Sequence, residues 1–233
     1  MTKGCVYLIP VSIDNDSEFN KTYIAPYITT RINNLDYFVV ENVRTARRFI
    51  KKINPNFDIN NTKFVELNKR TNKVTVEKII NTVKFGTSIG LMSESGCPGI
   101  ADPGSEICSL AHKNNIKVKP LIGPCSIILA LMASGLGGQN FSFHGYLPIE
   151  KTERIKKIKK LCKINYTHIF IETPYRNNQL LEDLIKYIEP KSKKLTIASN
   201  VTGSGEIIIT KRIEDFKKLN LDLNKRPTIF IFE

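Results

Sequence analysis

The sequence predicts an α/β protein made of two α/β domains, on three observations. Short runs rich in β-branched and aromatic residues alternate with runs of helical periodicity, a pattern typical of βαβ units and a largely parallel sheet. The last part of the chain changes to β-rich runs with little helix between them, which indicates a mixed sheet. Two glycine- and proline-rich loops each follow a strand-like run. We therefore expect an N-terminal domain with a mainly parallel sheet over residues 1–122, a C-terminal domain with a mixed sheet over residues 123–233, and a cleft between them.

The N-terminal half alternates five predicted strands with four predicted helices. The strands are Cys5–Val11, Tyr37–Val40, Lys63–Leu67, Ser88–Met92 and Ile116–Lys119. The helices are Thr22–Ile32, Val43–Ile53, Val74–Lys84 and Pro103–Asn114. Asp102 followed by Pro103 is typical of a helix N-cap with proline at the first helical position, so we expect the fourth helix to begin there.

The C-terminal half continues the alternation and then departs from it. Its predicted helices are Cys125–Ser134, Glu153–Cys162 and Asn177–Ile188. Its predicted strands are Phe141–Tyr146, His168–Glu172, Leu195–Asn200, Glu206–Lys211 and Thr228–Phe232. The last two strands have little helical sequence between them, which is why the sheet of this half is expected to be mixed.

Composition excludes several classes of protein. Hydrophobic residues make up 41% of the 233, enough for a substantial core. The longest stretch without a formal charge, Pro120–Ile149, is interrupted by glycines, Pro124, Gln139 and Asn140, so it does not predict a membrane span. One lysine and a short apolar run before Asp14 are too little for a signal peptide. We expect a cytoplasmic protein with no membrane partner.

The cysteines and histidines do not predict a metal site or a disulfide framework. The five cysteines are an odd number and include no Cys-x-x-Cys pair. His112, His144 and His168 have no metal-ligand spacing. We expect small, reduced cysteines and no bound metal.

The formal net charge of +13 has two explanations. A basic protein of this size often binds RNA, DNA or an anionic surface. AT-rich coding, which enriches lysine, asparagine and isoleucine, explains the charge equally well. The densest basic segment comprises Lys151, Arg154, Lys156, Lys157, Lys159, Lys160 and Lys163. On a helix these cations form either an ordinary solvated face or a stripe that follows a phosphate backbone.

The segment Leu91–Gly104, LMSESGCPGIADPG, carries three glycines and two prolines in its last nine residues. Glycine lets the backbone approach a ligand and adopt positive φ, and proline stiffens a turn. A second such loop, Leu121–Ser126, follows the next predicted strand. Rigid strand-to-helix loops of an α/β sheet commonly bind small molecules; the alternative is an ordinary tight loop.

Four blocks in order resemble the tetrapyrrole-methylase-like (class III) SAM-dependent methyltransferases. They read SESGCPGIADPG, VKPLIGPCSIILALMASGL, FSFHGYLP and HIFIETPYRNNQLLEDL, and the resemblance covers nearly the whole chain. Within this family the chain resembles the branch that includes the bacterial 16S rRNA cytidine 2′-O-methyltransferases, in a form without the small C-terminal extension. The resemblance implies S-adenosylmethionine (SAM) as methyl donor in the interdomain cleft, no metal, a homodimer, and ribosomal RNA or the small ribosomal subunit as partner.

The resemblance also implies which residues contact SAM. In the first loop they are Ser93, Gly96, Cys97, Pro98 and Ile100, and in the second turn Cys125 and Ser126. Phe170, Ile171 and Ala198 match stretches that line the adenosine side, and Pro10 ends the first strand, where the family approaches the ligand.

Methyl transfer is an in-line displacement, in which positioning contributes much of the rate and a general base assists a hydroxyl nucleophile. Glu41 in VENVRT and Glu172 in FIETPYR end predicted strands and are the candidate bases, with Glu206 a weaker third. Arg44 and Arg176 follow and are candidates for gripping phosphate with their planar guanidinium groups. The alternative for each is a surface or cap-pairing charge.

Departures from the family pattern fall mainly on the side expected to bind the acceptor. The family's Pro-Ile-Gly-Asn-Leu turn is here Ser12–Asp16, and its Glu-Asp-Thr-Arg is Glu41–Arg44. Its histidine-bearing loop is Leu67–Lys69, and its Arg-Glu-Leu-Thr-Lys is Ser199–Gly203. SAM binding is therefore the firmer expectation, and three functions stay open for the acceptor. They are an rRNA 2′-O-methyltransferase, a methyltransferase with a small-molecule or tetrapyrrole acceptor, and a non-catalytic SAM- or RNA-binding protein. The absence of glycine from Pro10–Asp16 disfavours the second.

Overall fold

A computed structural model describes residues 2–13, 25–68 and 71–233 of the chain. The chain divides into two compact units, unit 1 over Met1–Cys125 and unit 2 over Ser126–Glu233. Each unit is an α/β structure with one five-stranded sheet, so the predicted fold class is confirmed.

The sheet of unit 1 is entirely parallel. Its strands are β1 (Cys5–Leu8), β2 (Tyr37–Val40), β3 (Lys63–Glu66), β4 (Ile89–Met92) and β5 (Lys117–Pro120). They lie in the order β3-β2-β4-β1-β5. Val6 of β1 pairs with Ile89 of β4 on one side and with Val118 of β5 on the other. β2 and β4 are buried along their whole length, because both faces of a parallel sheet are covered. The carboxyl ends of all five strands therefore meet at one edge.

In the part of unit 1 that the structure describes, four helices cover the two faces of this sheet. They are α1 (Pro26–Asn33), α2 (Val43–Ile53), α3 (Lys73–Lys84) and α4 (Ser105–Lys113). α1 and α2 pack on the face that carries Phe38 and Val40. α3 and α4 pack on the opposite face, which carries Val39 and Leu91. The alternation of neighbouring β2 residues between two cores follows from the two-residue period of a strand.

The N-terminus of α4 corrects one sequence-based expectation. The helix begins at Ser105, and its N-cap is Gly104, so Asp102 does not cap it. Gly104 adopts φ +137°, a conformation that L side chains rarely adopt, and this separates Pro103 from the helical backbone. Asp102 is therefore a loop residue. The first part of another predicted helix, Thr22–Ile24, and the departures from the family pattern at Asp14–Asp16 and Lys69 lie outside the described residues.

Unit 2 has the mixed sheet that the sequence predicts. Its strands are β6 (Phe141–Tyr146), β7 (Thr167–Ile171), β8 (Lys194–Ser199), β9 (Ile207–Arg212) and β10 (Thr228–Phe232). Its helices are α5 (Ser126–Ser134), α6 (Lys151–Leu161), α7 (Asn177–Tyr187) and α8 (Ile213–Phe216). The strand order is β6-β7-β10-β8-β9, with β10 antiparallel to both of its neighbours and β6 parallel to β7. The last strand of the chain thus fills the centre of the sheet.

A buried ion pair joins α6 to α7. The Arg154 side chain is 1% exposed, and its Nη2 lies 2.6 Å from Oδ2 of Asp183. Arg154 also donates from Nε to Asp183 and from Nη1 to the carbonyl oxygens of Pro148 and Ile149, at 3.1 and 2.7 Å. A buried charge is tolerated only when it is paired and hydrogen-bonded. Arg154 is therefore a structural residue, although the sequence groups it with the surface cations of its segment.

Removing one partner of this pair will destabilise unit 2. We expect Arg154→Met to lower the free energy of unfolding by about 3–5 kcal/mol, because the Asp183 carboxylate is left buried without its counter-ion. Urea denaturation followed by circular dichroism measures this change. The matched control is Lys156→Met on the exposed side of the same helix. A loss in Arg154→Met no greater than that in the control contradicts the assignment.

Candidate functional site

Loop 1, residues 93–104, leaves the carboxyl end of β4 and is tied to the chain that follows β1. The Val11 amide donates to the carbonyl oxygen of Gly96 at 2.9 Å. Ser93, Gly96 and Pro98 are buried, and Cys97 is half-buried. Ile100, at 47% exposure, presents an apolar side chain to solvent. Gly96 adopts φ +66°, which explains why glycine occupies that position.

Loop 2, residues 121–125, leaves β5 and contacts loop 1. Cys97 Sγ lies 3.3 Å from the carbonyl oxygen of Pro124. Gly123 packs so closely on Pro10 that a Cβ built there would lie 2.1 Å from Pro10 Cγ. Burial raises the pKa of the Cys97 thiol, and the neighbouring Cys125 thiol adds to that shift. Unit 1 therefore brings together Pro10, loop 1 and loop 2, as the carboxyl ends of adjacent parallel strands must.

Three carboxylates lie close together, Glu94 and Asp102 in loop 1 and Glu41 beside it. Glu41 follows β2, and its Oε2 accepts a hydrogen bond from the Glu94 amide at 3.2 Å. Thr45 on α2 donates to Glu94 Oε1 at 3.2 Å. Burial, with the charges of Glu41 and Glu94, raises the pKa of Asp102 to about 6, although a hydrogen bond with Ser93 opposes the shift. The carboxyl edge of this sheet thus carries local negative charge on a strongly basic protein.

Sequence reasoning missed Glu94 and Asp102. Asp102 was interpreted as a helix cap, and Glu94 was not singled out. Their position in the sequence could have identified them, because each is an acidic residue in the rigid loop that follows a fully buried strand. Perturbed carboxylates in such loops are candidates for functional residues.

Within unit 2, the predicted adenosine-side residues lie on opposite faces of the sheet. Ile171 pairs with Ile229, and Ile229 pairs with Ala198, so Ile171 and Ala198 lie in one row across β7, β10 and β8. Phe170 points to the other face, where its ring stacks on Phe230 with centroids 6.1 Å apart in the core under α6 and α7. Ser126 begins α5. The Phe170 side chain is therefore part of the core, and only the backbone of this residue is available to contact a ligand.

Glu172 and Arg176 form an ion pair with each other. Arg176 Nη2 lies 2.8 Å from Glu172 Oε2, with side chains 26% and 1% exposed. Glu172 Oε1 also accepts from the Thr173 amide at 2.7 Å. The pair closes the turn between β7 and α7. Arg44 is exposed at the first turn of α2, and the carboxylate of Glu206 accepts from the Thr202 amide at 2.7 Å.

Metal ligands do not cluster anywhere in residues 2–13, 25–68 and 71–233. His144 and His168 lie side by side on β6 and β7, with Nε2 of one 3.0 Å from Nδ1 of the other. Burial lowers the pKa of His144 to about 4 and also lowers the pKa of His168. The two rings are therefore joined to each other by a hydrogen bond. The five cysteines are free, and no described helix is long and apolar enough to cross a bilayer.

Comparison with known proteins gives a family match over most of the chain. The family model of the tetrapyrrole (corrin/porphyrin) methylases matches residues 24–217. "Ribosomal RNA small subunit methyltransferase I" of Buchnera aphidicola subsp. Schizaphis graminum (strain Sg) is 33% identical over 88% of this chain and 68% of its own length. The protein of that name from Halalkalibacterium halodurans is 29% identical over 91% and 70%. The chain thus spans about two thirds of the length of these relatives.

Solved structures of the same fold are more distant in sequence. A crystal structure of diphthine synthase matches with a TM-score of 0.65 at 15% identity, over 97% of this chain and 88% of that one. The cobalt precorrin-4 methyltransferase CbiF matches with a TM-score of 0.63 at 12% identity, over 98% and 94%. These similarities establish the fold of the chain.

The contact between Gly123 and Pro10 leaves no room for a side chain. We expect Gly123→Ala to lower the free energy of unfolding by about 1–3 kcal/mol, because the added methyl group forces the two segments apart. Gly138→Ala is the control, since a Cβ there meets nothing within 4 Å. Equal thermal stability of the two variants would show that loop 2 does not depend on this contact.

Asp102 makes the stability of unit 1 depend on pH. Its pKa in the folded protein is raised, so its stabilising contribution is complete below the ordinary value of 3.8 and is lost as the pH rises through about 6. We expect Asp102→Asn to raise the free energy of unfolding by about 1–3 kcal/mol near neutral pH and above, and to change it little near pH 4.

Asp58→Asn is the matched control for Asp102→Asn. Hydrogen bonds from Asn61 lower the pKa of Asp58, so removing its charge gives no stabilisation at any pH. Urea titrations over the pH range measure both variants. A stability difference between Asp102→Asn and the unmodified protein that stays constant with pH would overturn the assignment.

Proposed function

The chain belongs to the tetrapyrrole (corrin/porphyrin) methylase family, and from this premise we propose that it transfers a methyl group from SAM to a ribose 2′-hydroxyl of small-subunit ribosomal RNA. The relatives named ribosomal RNA small subunit methyltransferase I support the acceptor. One observation supports SAM as the methyl donor. Loop 1, loop 2 and Pro10 converge at the carboxyl edge of the parallel sheet, with Cys97 Sγ 3.3 Å from the carbonyl oxygen of Pro124.

The residues at this edge fit SAM. A Cβ built at Gly99 meets nothing within 4 Å, so backbone is open to a ligand there. The carboxylate of Glu94 suits the positive ammonium group of the donor. Ser93 and the backbone of loop 1 offer hydrogen bonds that fix its orientation. Cys125 and Ser126, with Ile171 and Ala198 on one face of the unit 2 sheet, complete the set proposed for cofactor binding.

SAM supplies an activated methyl group on a sulfonium, so we infer a transfer that needs no metal. The protein then has to hold the ribose hydroxyl in line with that methyl group and accept its proton. Glu41 is the better placed of the two candidate bases, because it is only partly buried and lies beside loop 1. Glu172 is buried against Arg176, which favours a role for that pair in holding the turn after β7.

The family implies a homodimer, and we include it in the proposal. In support, α5 exposes Ile128 and Met132, the latter at 74%, which form an apolar strip on the surface. We include a cytoplasmic location in the proposal, because ribosomal RNA is the proposed substrate. Sedimentation of the purified chain tests the dimer.

Calorimetric titration with SAM tests the donor site. We expect saturable one-site binding that is abolished in Gly96→Arg, because an arginine at φ +66° strains loop 1 and pushes its side chain against Pro124 of loop 2. Gly138→Arg, in open space on unit 2, should bind as the unmodified protein does. Circular dichroism confirms that both variants are folded. No binding of SAM to the unmodified protein, or binding retained in Gly96→Arg, contradicts the proposal.

Transfer of labelled methyl groups to small subunits that lack the modification tests the acceptor and the base. We expect Glu41→Gln to lower kcat by about 10²- to 10⁴-fold with SAM affinity unchanged. Glu172→Gln is the comparison, and there we expect activity and thermal stability to fall together. Binding of SAM without any transfer to small subunits would reject the acceptor, and full activity in Glu41→Gln would reject the base.

A further inference from the structure

The lysines of α6 gather on the side of the helix that faces solvent. The helix buries three residues against the unit 2 core, namely Arg154, Ile158 and Leu161. Opposite them, a row of exposed lysines follows the helix axis and continues into the turn after it: Lys156, Lys159, Lys160 and Lys163. We call these four residues the lysine face. Their spacing of three, one and three residues places them on one side of a helix with 3.6 residues per turn.

The orientation of this face is fixed at the start of α6. Glu150 is the N-cap, and its carboxylate accepts from the amides of Thr152 and Glu153 at 3.0 and 2.8 Å. Hydrogen bonds, first from the Thr152 hydroxyl and then from those amides, lower the pKa of Glu150 to about 2. Together with the Arg154–Asp183 pair, this cap prevents the helix from rotating about its axis.

The charge of the lysine face is largely free. Lys156 pairs with Glu153 at 2.8 Å, but both side chains are more than half exposed, so the pair is weak. Across residues 2–13, 25–68 and 71–233, no carboxylate lies within salt-bridge distance of Lys159, Lys160 or Lys163. Lys159 instead lies over the ring of Tyr187, which it shares with a second cation from α7, Lys186.

We propose that the lysine face, extended by Lys186, binds the phosphate backbone of RNA. That this RNA is the methyl acceptor rests on the proposed function. Lysine is a flexible point charge that neutralises phosphates without reading bases, so four in a row provide affinity and orientation. A lipid surface fits less well, because a membrane-binding helix exposes apolar side chains beside its cations. Here Ile158 and Leu161 are buried in the core of unit 2.

The test is the salt dependence of RNA binding, measured by the anisotropy of a fluorescein-labelled hairpin RNA. The variant is Lys159→Gln/Lys160→Gln/Lys163→Gln. The matched control is Lys73→Gln/Lys78→Gln/Lys84→Gln, which removes the same charge from exposed positions of α3. We expect the slope of log affinity against log salt to become shallower by about 2–3 in the α6 variant, since each lost phosphate contact removes about 0.7–0.9. We expect at least a tenfold loss of affinity at low salt, with the α3 variant close to the unmodified protein.

Equal losses of RNA affinity in the two variants would show that only net charge matters. No loss of affinity in the α6 variant would show that these lysines do not contact RNA. Either result overturns the proposal. So does binding of the unmodified protein to phosphatidylglycerol vesicles without binding to RNA. SAM calorimetry and urea unfolding confirm that the α6 variant is intact. If the unmodified protein binds RNA through this face yet methylates no small subunit, the proposed function fails and the lysine face stands. If the α6 variant methylates small subunits with an unchanged KM, the lysine face fails and the proposed function stands.

Discussion

Unit 1 depends on one constraint, that all five of its strands run in the same direction. Because β1, β4 and β5 are adjacent and parallel, the segments that leave them emerge at one edge and have to pack on each other. Glycine is required at position 123 because a side chain there would prevent loop 2 from packing on Pro10. The same edge receives Glu41 from the end of β2. The candidate site thus draws its residues from distant parts of the sequence because of strand direction.

The effect of a buried charge on stability differs between the two units, because the charges have different partners. The Arg154–Asp183 pair satisfies both charges with each other and with backbone carbonyls, so it stabilises the packing of α6 on α7. Asp102 shares its surroundings with the carboxylates of Glu41 and Glu94, and among the residues that the structure describes no cation offsets them, so its charge costs stability. Local destabilisation of this kind is typical of functional sites.

The same buried pair also organises the outside of unit 2. By fixing the rotation of α6, Arg154 determines that the lysines of the segment point to solvent together. A helix held only by Ile158 and Leu161 would allow more freedom about its axis. The lysine face is therefore oriented by a residue that contributes none of its exposed charge.

The sequence by itself determined the fold class, the type of every described element except α8 and the mixed sheet of unit 2, because these depend on periodicity and on local turn chemistry. The family followed from the resemblance of four sequence blocks. Tertiary structure decided what each charged and aromatic residue does. Arg154 is buried because Asp183 reaches it from another helix, and Phe170 belongs to the core because β7 presents it to α6 and α7. Glu172 forms an ion pair with Arg176. Asp102 lies in loop 1 and does not cap α4, because Gly104 adopts φ +137°. Pairing, burial and backbone conformation at these positions arise from contacts between segments far apart in the chain, which local sequence patterns do not encode.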